Sequence, residues 1–424
     1  MLKNISTAGI AAALLLCGCA TEKFGGVNST DYVKNSSFES GKVLLDENGR
    51  MVNAHGAGFI FDGGRYYMFG EHKLGGTLGN KALVGVHCYS SADLYNWRDE
   101  GIALKMSQDP ESPIIVGTVL ERPKVVFNKK TGKYVMFVHL EARKGATAKS
   151  PKLDDILKEK PDYRAAKIAI AVADKVEGPY KFLRALRPNA GKYPIGWEGK
   201  LRAVRTLLDS KHPNWDNPDK VLSVNYNEIM DGHIFLRDFP KGQMSRDMTV
   251  FVDDDGKGYL ITASEENATL HIHELTDDYL GFTGKFARAL VGGLNEAPVV
   301  FKKDGKYFMF TSYCTGWAPN PGRLSVADSM LGEWKQLGNP CRGEGQPADK
   351  TYPVAKADTT FRSQSTYVIP VEGKKDAFIY VGDRWLPNDA IDGRYIFLPV
   401  EWEDGLPVIR WHASWDLSFF DKAR

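Results

Sequence analysis

Five polar residues recur at one phase ahead of five turn-forming clusters, and three of them are acids. His55 stands seven residues before Asp62, Glu121 seven before Asn128, and Glu296 seven before Lys303. Asp247 lies six before Asp253, and Gln364 eight before Glu372. If the repeat closes around an axis, these five residues converge at one mouth of it. Like charges at close range raise each other's pKa and resist desolvation, so such a cluster can keep one carboxyl protonated near neutral pH. A proton donor and a carboxylate flanking a polar, aromatic-walled cleft is the arrangement that cleavage of a glycosidic bond requires. Tyr313, Trp317 and Trp385 supply flat apolar surfaces nearby in the chain. Taken singly, each acid reads as well as a strand-edge carboxylate paired with Arg122 or Arg246. Shared phase favours chemistry.

Other chemistries find no support. No G-x-S-x-G elbow is present, and no H-E-x-x-H spacing. Cys17 and Cys19 lie in the N-terminal segment, which leaves Cys88, Cys314 and Cys341. Their wide spacings fit neither a zinc pattern nor a disulfide framework, so one bridge or three buried thiols are expected.

The elements that must position the ring are hairpins. Val291–Tyr313 holds two apolar runs around a Lys-Asp-Gly turn (Lys303–Gly305), with Glu296 just ahead. The pattern recurs at Phe59–Phe69, Val125–Phe137, Val250–Leu260 and Tyr367–Tyr380. A second strand pair follows each, in Gly85–Gly101, Ile168–Phe182, His271–Lys285, Leu324–Gly338 and Tyr395–Trp411. Four strands in each of five units predict an all-β fold, a five-bladed β-propeller. The Asp-rich third turn (Asp253–Gly256) lacks the spacing of a calcium loop and reads as an ordinary hairpin turn. Axis residues occupy each innermost strand, and the returning strands carry Glu71, Glu141, Glu265, Glu266, Asp383 and Arg384 to the same face. Successive turns lie about 66 residues apart from the first to the second, but about 125 from the second to the third. The excess in Arg143–Met244 predicts a partly helical insertion between blades 2 and 3. It includes a polar helical piece (Pro151–Lys158) and an amphipathic stretch with Leu201, Val204, Leu207 and Leu208 on one face. A pocket wall and a surface elaboration are equally open for it.

The 424 residues are 43% hydrophobic and 25% charged with a net charge of +2, so neither nucleic-acid binding nor disorder is indicated. Near the start, Lys3, the short apolar run Ala8–Leu16 and Leu16-Cys17-Gly18-Cys19 match a bacterial lipoprotein signal. The run is shorter than the ~20 residues of a membrane span. The expected organisation is a signal over residues 1–18, a tether over 19–37 beginning at lipidated Cys19, and a catalytic propeller over 38–424. That organisation predicts an exported lipoprotein in the periplasm or at the outer-membrane surface, touching the membrane only through its lipid.

Several segments together resemble glycoside hydrolase family 43, and within it the exo-β-1,3-galactanase branch. They are Ala54-His55-Gly56, Tyr67–Glu71, Leu120–Val125, Ser245–Thr249, Ser264–Ala268, Asn295–Pro298, Cys314–Trp317, Ser363–Thr366 and Gly382–Trp385. The likeness runs from about Asn53 to the C terminus, outside Arg143–Met244. It implies an inverting, exo-acting hydrolase releasing galactose from β-1,3-galactan, with galactan or arabinogalactan oligosaccharides as partners. By the same resemblance Glu296 is the general acid, Asp247 tunes its pKa, Gln364 holds the attacking water, and Glu121 is a second carboxylate that binds sugar or assists water. His55, Glu71, Glu266, Asn267, Trp317, Asp383 and Arg384 are implied to bind substrate. The wider family carries an Asp base on blade one, where this chain has Ala54-His55. No cofactor is required, and an axial calcium ion would be compatible with the scaffold. An α-L-arabinofuranosidase, a β-galactofuranosidase and a non-catalytic sugar-binding propeller are the alternatives.

Overall fold

Asp304-Gly305 and Gly63-Gly64 each place two successive residues at positive φ (50° and 76°; 53° and 81°). That is the type I′ geometry whose twist matches the flanking strands, and it closes two of the innermost hairpins. A computed structural model describes residues 34–143, 161–197, 229–348 and 353–421. The lipoprotein signal, Cys19, Pro151–Lys158 and Leu201–Leu208 lie outside the described residues.

Five antiparallel sheets follow one another along the chain. Their innermost strands are His55–Asp62, Val119–Asn128, Met248–Val252, Asn295–Lys303 and Gln364–Pro370. Each contacts the next, and the fifth contacts the first, so they form a closed ring. This is the expected five-bladed propeller. Blades 1–4 have four strands, whereas blade 5 gains a fifth, Cys341–Arg342, which pairs in parallel with Leu406–Arg410. Part of Arg143–Met244 belongs to the propeller itself, because Pro161–Ala173 and Lys181–Leu186 complete blade 2. A short helix, α1 (His233–Asp238), precedes blade 3.

The core lies in five layers between blades. Met136, Val138 and Leu140 meet Phe69, Val86 and Cys88 between blades 1 and 2. Ile261 and Ile272 meet Tyr307 and Met309 between blades 3 and 4. Strands packed on both faces, such as Gly258–Ser264, are buried throughout, and therefore read as continuous runs. Each fully buried large side chain contributes roughly 1.5–3 kcal/mol. Between blades 5 and 1 the first and last described strands clasp: Phe38–Glu39 pairs with Ser414–Trp415, and Phe38 stacks on Trp415 and Phe397. Cys88, Cys314 and Cys341 are all free thiols.

Four innermost strands carry a β-bulge, directly after the axis residue at His55, Glu121 and Glu296 and one residue later at Ser365. In three of them the following residue is left-handed, Gly56 (64°), Arg122 (55°) and Ala297 (52°). Bulges re-aim side chains, and Glu121 and Glu296 reach the mouth of the axis beside theirs. Gly56 has no alternative there, since a Cβ would stand 2.2 Å from Glu71 Oε1.

Below the mouth, the ammonium of buried Lys124 donates to the carbonyls of Gly56 (2.9 Å), Arg122 (3.3 Å) and Pro123 (3.4 Å). Burial pushes its pKa down to about 7, and the Arg122 charge adds to that shift. A calcium ion would seek such a cluster of carbonyl oxygens, but it is already filled by a cation of the chain. Lys124→Met should leave these carbonyls without a donor and lower stability by ~1–3 kcal/mol. Urea unfolding measures this, and calcium should leave the wild-type midpoint unchanged.

Candidate active site

A cavity of about 360 Å³ opens at the mouth of the ring. It is lined by Glu121, Asp247, Glu296 and Gln364 from the innermost strands and their approaches, and by Glu71, Asn267 and Trp317. Seven of the residues expected from sequence therefore meet in one place.

Arg122 ties the ring together. Its Nε lies 3.0 Å from Asp247 Oδ2, and its Nη2 donates to Gln364 Oε1 at 2.6 Å. Nη1 donates to the Ser365 carbonyl at 3.1 Å, while the backbone N–H donates to Glu71 Oε1 at 3.0 Å. One residue of blade 2 thus holds blades 1, 3 and 5.

The acids differ in what faces them. Glu71 Oε2 is 2.5 Å from Lys73 Nζ, although burial still raises its pKa. Glu121 Oε2 is 3.1 Å from His139 Nδ1, and its Oε1 accepts from the Tyr163 hydroxyl at 3.0 Å. His139 Nε2 in turn lies 2.9 Å from Glu141 Oε1. Burial opposes the charged forms of Glu121 and His139, but their pairing wins. His139 is held up at about 10 and Glu121 down at about 2, with Lys73 and Tyr163 assisting the latter. Glu296 is different. It receives a neutral donor, the Asn267 amide at 2.7 Å, while the Cys314 thiol donates to the Leu294 carbonyl at 3.5 Å. Burial, followed by the charge of Asp247, raises it to about 7. Asp247 Oδ2 also accepts the Ala297 N–H at 3.1 Å, which anchors the bulge beside Glu296.

Four expected binders do not line the cavity. His55 and Asp383 are buried against each other (3.2 Å), with His55 stacked on Tyr395 and Asp383 accepting the Gly56 N–H. Buried Arg384 donates to the Phe361 carbonyl and to Gln346, and lies over Trp411. Glu266 is clamped by Arg237 (2.9 Å) and Arg246 (2.8 Å). It thereby fixes a turn of three left-handed residues, Glu265–Asn267, and aims Asn267 at Glu296. Glu141 and Glu265, expected at the same face, are fully buried, the latter between Arg288 and His271.

Sequence reasoning missed Lys73, Asn80, His139 and Tyr163, all of which line the cavity. His139 had a signal, because it pairs directly opposite Glu121 across the hairpin. Trp385, the partner of Trp317 at 5.6 Å, forms the aromatic wall. Glu121, His139 and Asp247 bring ligand atoms within 4.8 Å of one another. Their carboxylates are already paired with His139 and Arg122, so the set does not call for a metal.

A pocket that raises Glu296 to about 7 beside Glu121 lowered to about 2, below an indole wall, can transfer a proton to an ether oxygen and stabilise positive charge. Comparison with known proteins places the chain among relatives of one family. The model for glycosyl hydrolases family 43 matches residues 231–407. A family-43 β-1,3-galactosidase solved with galactodeoxynojirimycin is 46% identical, with 90% of this chain and all of that chain covered at a TM-score of 0.76. The exo-β-1,3-galactanase of Clostridium thermocellum is 29% identical over 90% of this chain and 67% of its own, at 0.65. That of Phanerochaete chrysosporium, solved with β-1,3-galactotriose, is 27% identical over 90% and 68%, also at 0.65. No curated protein sequence matches.

His139→Ala should leave two buried carboxylates without their cation and cost ~3–5 kcal/mol. The pairing raises His139 and lowers Glu121, so its contribution is complete between their unfolded values, about 4.3 and about 6.5. It fades as pH rises toward about 10 or falls toward about 2. Urea unfolding of wild type and variant should therefore differ more at pH ~5.5 than at pH ~9.

Proposed function

The chain belongs to glycoside hydrolase family 43, and from that premise we propose that it is an exo-acting, inverting hydrolase of β-1,3-galactan, the backbone of arabinogalactan-type polysaccharide. The observation that carries this reading is the contrast between Glu296, raised to about 7, and Glu121, lowered to about 2, in one cavity. Similarity to β-1,3-galactosidases and exo-β-1,3-galactanases supports the choice of sugar.

In this reading Glu296 gives its proton to the glycosidic oxygen as the bond to the anomeric carbon breaks. Asp247 holds that proton in place beforehand by its charge, and with Glu121 stabilises the positive charge spreading over the sugar ring. Water, held by Gln364, adds from the opposite face. Its proton becomes acidic as the new bond forms, and the ionised Glu121 receives it. Asn267 and Glu71 lie where sugar hydroxyls can be bound, and Trp317 with Trp385 offers the apolar face of the ring a surface. The N-terminal signal would tether the propeller to a membrane through lipid on Cys19 and place it among exported polysaccharides.

Incubation with β-1,3-galactan should release galactose one unit at a time, first as the α-anomer. Release of arabinose alone from arabinofuranosides would reject the substrate, and retained anomeric configuration would reject the mechanism. Glu296→Gln is expected to lower kcat/KM on galactan by roughly 10²–10⁴-fold. Because the protonated acid is the active form, kcat/KM of the wild type should fall as pH rises through about 7. Asp247→Asn removes a charge that raises Glu296, so the alkaline limb of the residual activity should move to lower pH.

A further inference from the structure

Trp385 does more than wall the cavity. Gln364 Oε1 accepts from Arg122 Nη2 at 2.6 Å and from the indole Nε1 of Trp385 at 2.8 Å. A guanidinium and an indole N–H donate and never accept, so the carboxamide cannot turn over without opposing its own NH₂ to two donors. Gln364 Nε2 gives one hydrogen to Ser312 Oγ at 2.9 Å, leaving the other for the cavity that the residue lines. The consequence for proton transfer is direct. Both lone pairs of the amide oxygen are engaged, and a proton added there would face two donors. The imidic-acid tautomer, in which the nitrogen could act as a base, requires an O–H at the same crowded position.

We infer that Trp385 and Arg122 are positioning residues that lock Gln364 as a donor, so that it orients the attacking water through N–H and takes no proton from it. This rests on the hydrolytic reading above. During the reaction the water oxygen bonds to the anomeric carbon while the glycosidic bond breaks. The proton of Glu296 goes to the leaving oxygen and that of the water to Glu121. Gln364 carries the same two amide hydrogens before and after.

Trp385→Phe keeps an aromatic wall and removes only the indole donor. On β-1,3-galactobiose it should lower kcat by about tenfold or more with KM changed by less than about threefold. The loss should persist with β-galactosyl fluoride, whose departing fluoride needs no proton, whereas Glu296→Gln should regain activity on that substrate. An unchanged kcat, a change confined to KM, or recovery of Trp385→Phe on the fluoride would overturn the inference. Should Trp385→Phe fail to unfold cooperatively, the wild type decides. The Gln364 side-chain ¹⁵N resonance, assigned by its loss in Gln364→Met, should carry two protons in the galactose complex, and a single proton would overturn the lock. Absence of wild-type hydrolysis of galactobiose would instead reject the underlying reading, with the resonance still reporting on the lock.

Discussion

The site depends on one buried guanidinium. Arg122 reaches from blade 2 to Asp247 on blade 3 and to Gln364 and Ser365 on blade 5, and its backbone N–H holds Glu71 of blade 1. Burying such a charge is costly unless carboxylate and carbonyl partners replace its water. A left-handed φ of 55° adds strain, of order 1–3 kcal/mol for a non-glycine residue. Both costs are sustained only because several blades fix the residue at once. In return, the propeller's closure and the site's geometry become one constraint: displace a blade, and Arg122 loses a partner.

That constraint also allots charge. Lys73 faces Glu71, His139 faces Glu121, and Arg122 faces Asp247. Among the cavity's acids in the described residues, Glu296 is the one met by a neutral amide rather than by a cation of its own. A buried carboxyl next to an ionised neighbour minimises its energy by keeping its proton. The proposal of Glu296 as proton donor therefore rests on where the cations are as much as on Glu296 itself. Arg237 and Arg246 act at one remove: by clamping Glu266 they hold the left-handed turn that delivers the Asn267 amide.

How much of this was legible depended on period. Equal phase ahead of equal turns picked out Glu121, Asp247, Glu296 and Gln364, which line one cavity because innermost strands of a propeller are equivalent. The returning strands were less legible. Adjacent strand residues point to opposite faces, so a run such as Asp383-Arg384 or Glu265-Glu266-Asn267 cannot all serve one cavity. In the first, both side chains are buried in other contacts, and in the second the turn selects Asn267. Tyr163 extends from the third strand of blade 2 and Asn80 lies in the loop after a short 3₁₀ turn, where no repeat reports on direction. The bulges were invisible too, since a slip of register changes pairing without changing residue type.

Blade one departs from its siblings for a reason rooted in closure. The first and last of the described strands meet at the seam between blades 5 and 1, where no continuous peptide links the innermost strands. Thr366 Oγ1 donates across it to the Ala57 carbonyl, and Asp383 reaches across to the Gly56 N–H and His55 Nδ1. His55 then stacks on Tyr395, whose hydroxyl bonds both Ala54 N–H and the Val52 carbonyl. The axis residue of blade one is thus committed to sealing the ring, and it cannot also face the cavity as a base. Handling of the water consequently falls to groups from the other blades that do line it. With the Gln364 oxygen occupied by Arg122 and Trp385, the proposed mechanism sends the proton of the water to Glu121.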